Sequence, residues 1–145
     1  MTYKVLSKKN AKILKAMGSG IIPRGGENFS LGAADLSEKW LPRTDYILSR
    51  MNYLTRTGMC ILLKILNYVW PFIYLKKISQ IANLPEKTIT ELFEKIEHSG
   101  SGFAALILLV KILICPAFYG LEEVKNAIAY KEKFPGNPDY VGMKD

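Results

Sequence analysis

The sequence predicts an all-α fold, a single irregular bundle of five to seven helices with an extended C-terminal tail. Apolar residues recur at intervals of three and four positions along most of the chain, which is the period of a helix. No alternation of apolar and polar residues lasts beyond a few positions, so strands are not expected. The length of 145 residues fits one helical domain, residues 1–145, in which residues 131–145 form the tail.

Glycine and proline set the expected bounds of the first two helices. Ser7 is a suitable N-cap for a helix that reaches about Met17, and the tripeptide Gly18-Ser19-Gly20 is expected to end it. A second helix is expected to start at residues 32–35. Pro42 should stop or kink this helix, because proline lacks the N–H that an interior position needs.

A third helix is expected after Thr44, which is a good N-cap, and the dipeptide Thr57-Gly58 should separate it from the next segment. That segment, residues 59–75, comes nearest to a membrane span. Lys64 and Pro71 interrupt it, and Pro71 should end or bend its helix. We therefore expect it to lie on a membrane surface at most.

The clearest helical pattern follows Pro85, which suits the first turn of a helix. Its apolar residues share one helical face: Ile89, Leu92, Phe93 and Ile96. A longer apolar stretch, residues 103–115, holds one charged residue, Lys111. Pro116 should interrupt this stretch, and a short helix is expected after it, over residues 121–130.

Composition narrows the classes of partner. The chain has 20 basic and 13 acidic residues, a net charge of +7. Its lysines are spread along the chain and no zinc-finger or RNA-motif spacing is present, so no nucleic acid is expected as a partner. Cys60 and Cys115 lie in apolar runs and are expected to be buried thiols. The N-terminal residues lack the apolar region of a signal peptide, which predicts a cytoplasmic protein.

The chain has one histidine, His98, near the end of the helix that follows Pro85. An imidazole there interacts favourably with the helix dipole, so a capping role is expected. Catalysis by His98 with Glu94 or Glu97 is the alternative, but no further catalytic group accompanies them in the sequence. The sequence predicts no catalytic, cofactor-binding or metal-binding residue in this chain.

Five short segments together carry a resemblance to a known family. In chain order they are Ile21-Ile22-Pro23, Gly32-Ala33-Ala34-Asp35, Leu84-Pro85-Glu86, Phe118-Tyr119 and Ala127-Ile128-Ala129-Tyr130. In order and spacing they resemble the gluconate 2-dehydrogenase subunit 3 family, the small or gamma subunit of membrane-associated gluconate, sorbitol and glucose dehydrogenases. A similar helical segment precedes the flavin domain of long-chain fatty alcohol oxidases.

The resemblance implies a non-catalytic accessory subunit. In that family the small subunit packs on a flavin-dependent large subunit of the glucose-methanol-choline superfamily. It supports the folding, the stability and often the export of that partner. FAD, any iron–sulfur cluster and the proton-abstracting histidine belong to the partner, and a cytochrome or iron–sulfur electron acceptor is left open. Many family members carry a twin-arginine signal that this sequence lacks, so export is expected only if the partner carries one.

If the resemblance holds, six residues form the predicted packing or interface set: Trp70, Phe72, Leu106, Leu109, Val110 and Tyr119. Periodicity alone does not divide the core of the chain from the interface. The alternative interpretation is a peripheral membrane or lipid-handling helical protein. It is favoured by two long apolar segments flanked by lysines such as Lys76 and Lys77.

Overall fold

Six α-helices and one 3-10 helix form the part of the chain that a computed structural model describes, residues 3–25, 30–100 and 102–128. The helices are α1 (Lys8–Ile21), α2 (Ser37–Arg50), α3 (Tyr53–Leu75), α4 (Glu86–His98), α5 (Phe103–Tyr119) and α6 (Glu122–Ala127), and the 3-10 helix spans Ile81–Asn83. No strand occurs within the described ranges, and the all-α prediction is confirmed. The predicted tail, residues 131–145, lies outside them.

Helix α1 lies at the centre of the bundle, because it packs against the 3-10 helix and against α2, α3, α4 and α5. The Ser7 hydroxyl caps it by accepting a hydrogen bond from the Asn10 backbone N–H at 3.1 Å. Ile13, Leu14 and Met17 of α1 are buried. They belong to one cluster of buried apolar side chains to which all six helices contribute.

The glycines of α1 pack closely against two neighbouring helices. The prediction that Gly18-Ser19-Gly20 ends the helix was wrong, since α1 continues through all three residues to Ile21. A Cβ atom on Gly18 would lie 3.0 Å from the Trp40 ring, and one on Gly20 would lie 2.5 Å from Ile89 Cγ2. The missing side chains let α2 and α4 approach α1, and this packing outweighs the low helix propensity of glycine.

Three prolines lie inside helices, which corrects the boundaries predicted at them. Pro42 lies in α2, Pro71 in α3 and Pro116 in α5. The helices predicted on either side of Pro42 are therefore one helix. A proline costs a helix one backbone hydrogen bond, and burial of the flanking turns in the core offsets that cost. Helix α3 thus continues to Leu75 and α5 to Tyr119.

The predicted boundary between the third helix and the next is also corrected. Thr44, predicted as an N-cap, is buried inside α2, where its Oγ1 donates a hydrogen bond to the Leu113 carbonyl of α5 at 3.1 Å. Thr57-Gly58, predicted as a separator, lies inside α3. The break comes earlier, at Asn52, whose side-chain oxygen accepts from the Thr55 N–H at 2.8 Å and caps α3.

Asp45 fixes the N-terminal segment onto α2. Its buried carboxylate accepts hydrogen bonds from the backbone N–H groups of Lys4, Val5 and Leu6, at N···O distances of 2.7, 2.9 and 2.7 Å. Hydrogen bonds to a carboxylate are stronger than those between neutral groups. This contact therefore ties the chain before α1 to the middle of α2, and the sequence analysis assigned Asp45 no such role.

Candidate interaction surfaces

Three of the five motif segments meet at Arg24. The Ala33 N–H donates to the Ile22 carbonyl at 2.9 Å, which joins the first two segments. The Arg24 guanidinium donates to both carboxylate oxygens of Asp35, at 2.9 and 2.5 Å. The Arg24 backbone N–H donates to a Glu86 carboxylate oxygen at 3.1 Å. The loop after α1, the turn before α2 and the start of α4 thus form one hydrogen-bonded joint.

This joint is expected to weaken in acid. The hydrogen bond from Arg24, followed by the one from the Gly32 N–H, lowers the pKa of Asp35. Because the folded-state pKa is the lower one, the stabilisation is present at neutral pH and is lost as the pH falls through it. Asp35→Asn should therefore unfold more easily than the unsubstituted chain at neutral pH, and the difference should vanish in strong acid. A difference in denaturation midpoint that persists in acid would contradict this account.

Helix α3 is apolar on two opposite sides. Leu63, Leu66 and Trp70 are buried in the core. Five large side chains on the other side are exposed, and we name them the α3 face: Leu54 (82%), Ile61 (50%), Ile65 (50%), Tyr68 (44%) and Phe72 (60%). At 100° per residue these five fall within an arc of about 60° and extend over about 27 Å. A soluble helix normally presents polar residues on the side away from the core.

The N-terminal half of α3 has little cover from the rest of the bundle. No residue from Tyr53 to Leu62 is buried, and the first buried position of the helix is Leu63. The exposed side chains there include Tyr53 and Leu54, which are 73% and 82% exposed. Burying a large apolar side chain contributes about 1.5–3 kcal/mol. Contact of this half of the helix with another surface would therefore be stabilising.

No acidic residue occurs in the stretch of sequence that contains the α3 face. Between Asp45 and Glu86 the chain has no aspartate or glutamate. The basic residues of this stretch are Arg50, Arg56, Lys64, Lys76 and Lys77. Both lysines that follow α3 are exposed, as is the lysine within it. The α3 face therefore has exposed lysines on its own helix and directly after its end.

Helix α5 presents a second exposed apolar surface, which we name the α5 face: Leu108 (60%), Leu109 (38%), Ile112 (51%), Tyr119 (45%) and the exposed Pro116. Val110 and Leu113, on the other side of the helix, are buried. The one charged residue of the helix, Lys111, forms an ion pair with Glu97 of α4. The α5 face itself therefore carries no charge.

A shallow hollow lies where the α5 face meets α2. Its volume is about 440 Å³. The residues that line it are Pro42, Arg43, Tyr46, Ile47, Pro116 and Ala117. Tyr46 is 52% exposed and its hydroxyl accepts hydrogen bonds from the Arg50 guanidinium, at 2.7 and 3.1 Å. The hollow offers a place for one apolar side chain of a partner beside Tyr46, whose hydroxyl is fixed by the hydrogen bonds from Arg50.

The structure separates the six predicted interface residues by location. Trp70 and Val110 are buried in the core of the chain, and Leu106 packs against that core. Phe72 lies on the α3 face, and Leu109 and Tyr119 lie on the α5 face. Whether they contact a partner stays a prediction. The predicted interface set did not include Ile65 and Ile112, which are exposed and repeat at helical spacing with Ile61 and Leu108.

His98 contacts the backbone of its own helix. Its Nδ1 lies 2.7 Å from the Glu94 carbonyl oxygen in the last turn of α4. This is the helix C-terminal contact that the sequence predicted. The two carboxylates considered as catalytic partners are not joined to the imidazole by a hydrogen bond among the described contacts, and Glu97 is paired with Lys111.

Both cysteines are free and partly buried. Burial raises the pKa of the Cys115 thiol, an effect that the nearby Lys111 opposes. The thiolate is the reactive form, so the shift lowers the fraction of Cys115 that is reactive at neutral pH. Within residues 3–25, 30–100 and 102–128, no group of three or more His, Cys, Asp and Glu side chains is placed to hold a metal ion.

Helix α3 is long and apolar enough to cross a membrane by length and composition alone. The prediction against a span used Lys64 and Pro71 as interruptions, and the helix continues through both residues. In the bundle, 28% of its most apolar window is buried. Asn67 is also buried, and its side chain accepts from the Ala82 N–H at 3.0 Å. One side of α3 thus packs in the core of the bundle.

No protein-family model, curated protein or solved structure matches this chain. The family resemblance therefore rests on the sequence motifs. The α3 face and the α5 face are the candidate interaction surfaces of the described residues.

Proposed function

We propose that this chain is a non-catalytic accessory subunit that binds and stabilises the flavin-dependent large subunit of an alcohol or sugar dehydrogenase. The partner would belong to the glucose-methanol-choline superfamily and would hold the FAD. The observation that carries the proposal is the α5 face, an uncharged apolar surface on a helix that contains one charged residue, Lys111. The motif resemblance supplies the class of partner.

The α5 face has the composition of a protein interface. Protein interfaces are rich in aromatic and aliphatic side chains at their centre and poor in charged ones. Leu108 and Ile112 would form such a centre, and Tyr46 and Tyr119 flank them as rigid aromatic side chains. Tyrosine is enriched among the residues that contribute most to binding. The adjacent hollow adds a concave site to an otherwise convex helix surface.

The joint at Arg24 supports the class of partner. The motif segments that resemble the family are separate in the sequence, and three of them are linked by hydrogen bonds around one arginine. Because these segments contact one another in the fold, their joint presence supports the family resemblance more than each short match does alone. A cytochrome or iron–sulfur electron acceptor would then belong to the assembled complex, in the cytoplasm or beside the membrane, with export depending on a signal in the partner.

The test is an affinity pull-down of the tagged chain from its native host, with an absorption spectrum of the eluted material. We expect a co-purifying protein with a flavin spectrum. Ile112→Glu places a charge in the α5 face and should reduce recovery of that protein at least about tenfold, because an unpaired buried charge is costly. Ile65→Glu is the matched control, since Ile65 is 50% exposed and Ile112 is 51% exposed on different helices. Its recovery should match that of the unsubstituted chain.

Two results would refute the proposal. One is a stable monomer that elutes without a coloured partner. The other is equal loss of the partner in both variants, which would show that binding does not depend specifically on the α5 face. Circular dichroism of each variant establishes that the substituted chain is folded.

A further inference from the structure

We propose that the α3 face docks flat on the surface of an anionic phospholipid bilayer. This goes beyond the accessory-subunit role and uses a different surface of the chain. Exposed apolar side chains of α3 would enter the boundary between headgroups and acyl chains. Lys76 and Lys77 would contact lipid phosphates at the end of the helix.

The apolar stripe of α3 has a geometry that suits a flat surface. The five side chains of the α3 face lie along one line of the helix, over about 27 Å, so all of them reach a flat surface at once. Helices that bind in the plane of a bilayer bury an apolar face about 5–10 Å into its interface. Tyr68 supplies an amphipathic ring that favours that depth, and Phe72 supplies an apolar ring.

The turn that follows α3 exposes basic and apolar side chains together. Lys76 adopts a left-handed conformation (φ 55°) that ends the helix, and Lys77 and Ile78 follow it. Ile78 is 97% exposed although it is apolar. A large apolar side chain beside two exposed lysines suits the surface of a phospholipid bilayer. The lysines can contact the lipid phosphates while the apolar side chain enters the acyl chains.

Charge favours an anionic surface as the occupant. Lys64, Lys76 and Lys77 are exposed, and none of the described ion pairs includes them. They are therefore available to attract anionic headgroups. The same charges argue against a second copy of this chain as the occupant, because two α3 faces would bring like charges together. The α5 face lacks this feature, since Lys111 is paired with Glu97.

The packing of α3 favours docking in the plane of the membrane over spanning it. The opposite side of α3 packs in the core through Leu63, Leu66 and Trp70. The buried Asn67 also holds the segment after the helix through the Ala82 N–H. Spanning the bilayer would require α3 to leave these contacts. Docking in the plane of the membrane leaves all of them in place.

Vesicle flotation of the full chain tests this inference, because aggregates sediment and only vesicle-bound protein floats. Vesicles of phosphatidylcholine with phosphatidylglycerol should carry the chain upward, and vesicles of phosphatidylcholine alone should carry at least tenfold less. Raising the salt concentration should reduce the binding, since screening weakens attraction to headgroups.

Two pairs of variants separate the contributions. The double variant Lys76→Gln with Lys77→Gln should bind anionic vesicles about tenfold more weakly, whereas Lys8→Gln with Lys9→Gln, another exposed lysine pair, should not. Ile65→Glu should lose binding and Ile112→Glu should keep it. The last two variants behave in the opposite way in the flavoprotein pull-down, so failure of one proposal is distinguishable from failure of the other.

Three outcomes would overturn the inference. They are no flotation with anionic vesicles, equal flotation with both vesicle types, and equal effects of the two lysine-pair variants. A dimer that Ile65→Glu converts to a monomer, in a chain that does not float, would assign the α3 face to a second copy instead.

Discussion

Asp45→Ala is expected to lower the free energy of unfolding by about 3 kcal/mol, which is a large part of the stability of a small domain. The buried carboxylate accepts three backbone hydrogen bonds from the segment before α1. Removing it leaves three N–H groups without their acceptor, and the Leu6 N–H is in a buried position. The segment should detach from α2, and Leu6 should lose its place in the core.

Urea denaturation followed by circular dichroism measures this effect. Glu38→Ala is the control, because Glu38 is an exposed acidic residue in the first turn of the same helix. That variant should lose less than about 1 kcal/mol, the size of an interaction between a carboxylate and the helix dipole. Equal stability of the two variants would show that Asp45 does not hold the N-terminal segment.

Gly20→Ala and Gly58→Ala are expected to change stability in opposite directions. A Cβ on Gly20 would lie 2.5 Å from Ile89 Cγ2 and 3.0 Å from Phe93 Cδ2, so α1 and α4 must move apart. Overpacking of a core costs about 1–3 kcal/mol, more than the propensity that alanine gains. A Cβ on Gly58, inside α3, meets nothing within 4 Å, and the substitution should stabilise by about 1 kcal/mol.

The same urea experiment compares these two variants directly. Both glycines lie inside helices, so alanine changes the backbone preference alike at each, and the difference between them reports the packing of Gly20. We expect the denaturation midpoint to fall for Gly20→Ala and to rise for Gly58→Ala. A rise at both positions would mean that α1 and α4 are not in close contact at Gly20.

The core of the chain could largely be predicted from the period of its apolar residues. The stripe predicted on α4, which contains Ile89, Leu92, Phe93 and Ile96, is buried. The N-cap at Ser7 was predicted from its residue type and is present. These features depend on residues near one another in the sequence, which is why local patterning identifies them.

Helix boundaries at prolines could not be predicted in the same way. Pro42, Pro71 and Pro116 each weaken a helix locally, and contacts with distant elements decide whether the helix continues. The role of Asp45 depends on such contacts too, because its partners lie before α1. The available sequence signal was an acidic residue between the buried Leu41 and Leu48 on one helical face.

Periodicity also could not predict which side of α3 and of α5 is exposed. Helices α3 and α5 are apolar on both sides, so periodicity yields two stripes and does not say which stripe meets the core. Trp70 and Phe72 are close in sequence, yet one is buried and the other is 60% exposed. Only the packing of the neighbouring helices separates them, and the charges around each exposed stripe then suggest different partners.

The most direct test of the accessory-subunit proposal uses the two native cysteines. Cys115 lies one helical turn after Ile112, beside the α5 face, and Cys60 lies on α3. Alkylation of both thiols is measured by mass spectrometry in the purified free chain and in the complex recovered from the host. We predict that the complex protects Cys115 and leaves the reactivity of Cys60 unchanged. Equal alkylation of Cys115 in the free chain and in the complex would contradict a partner bound at the α5 face.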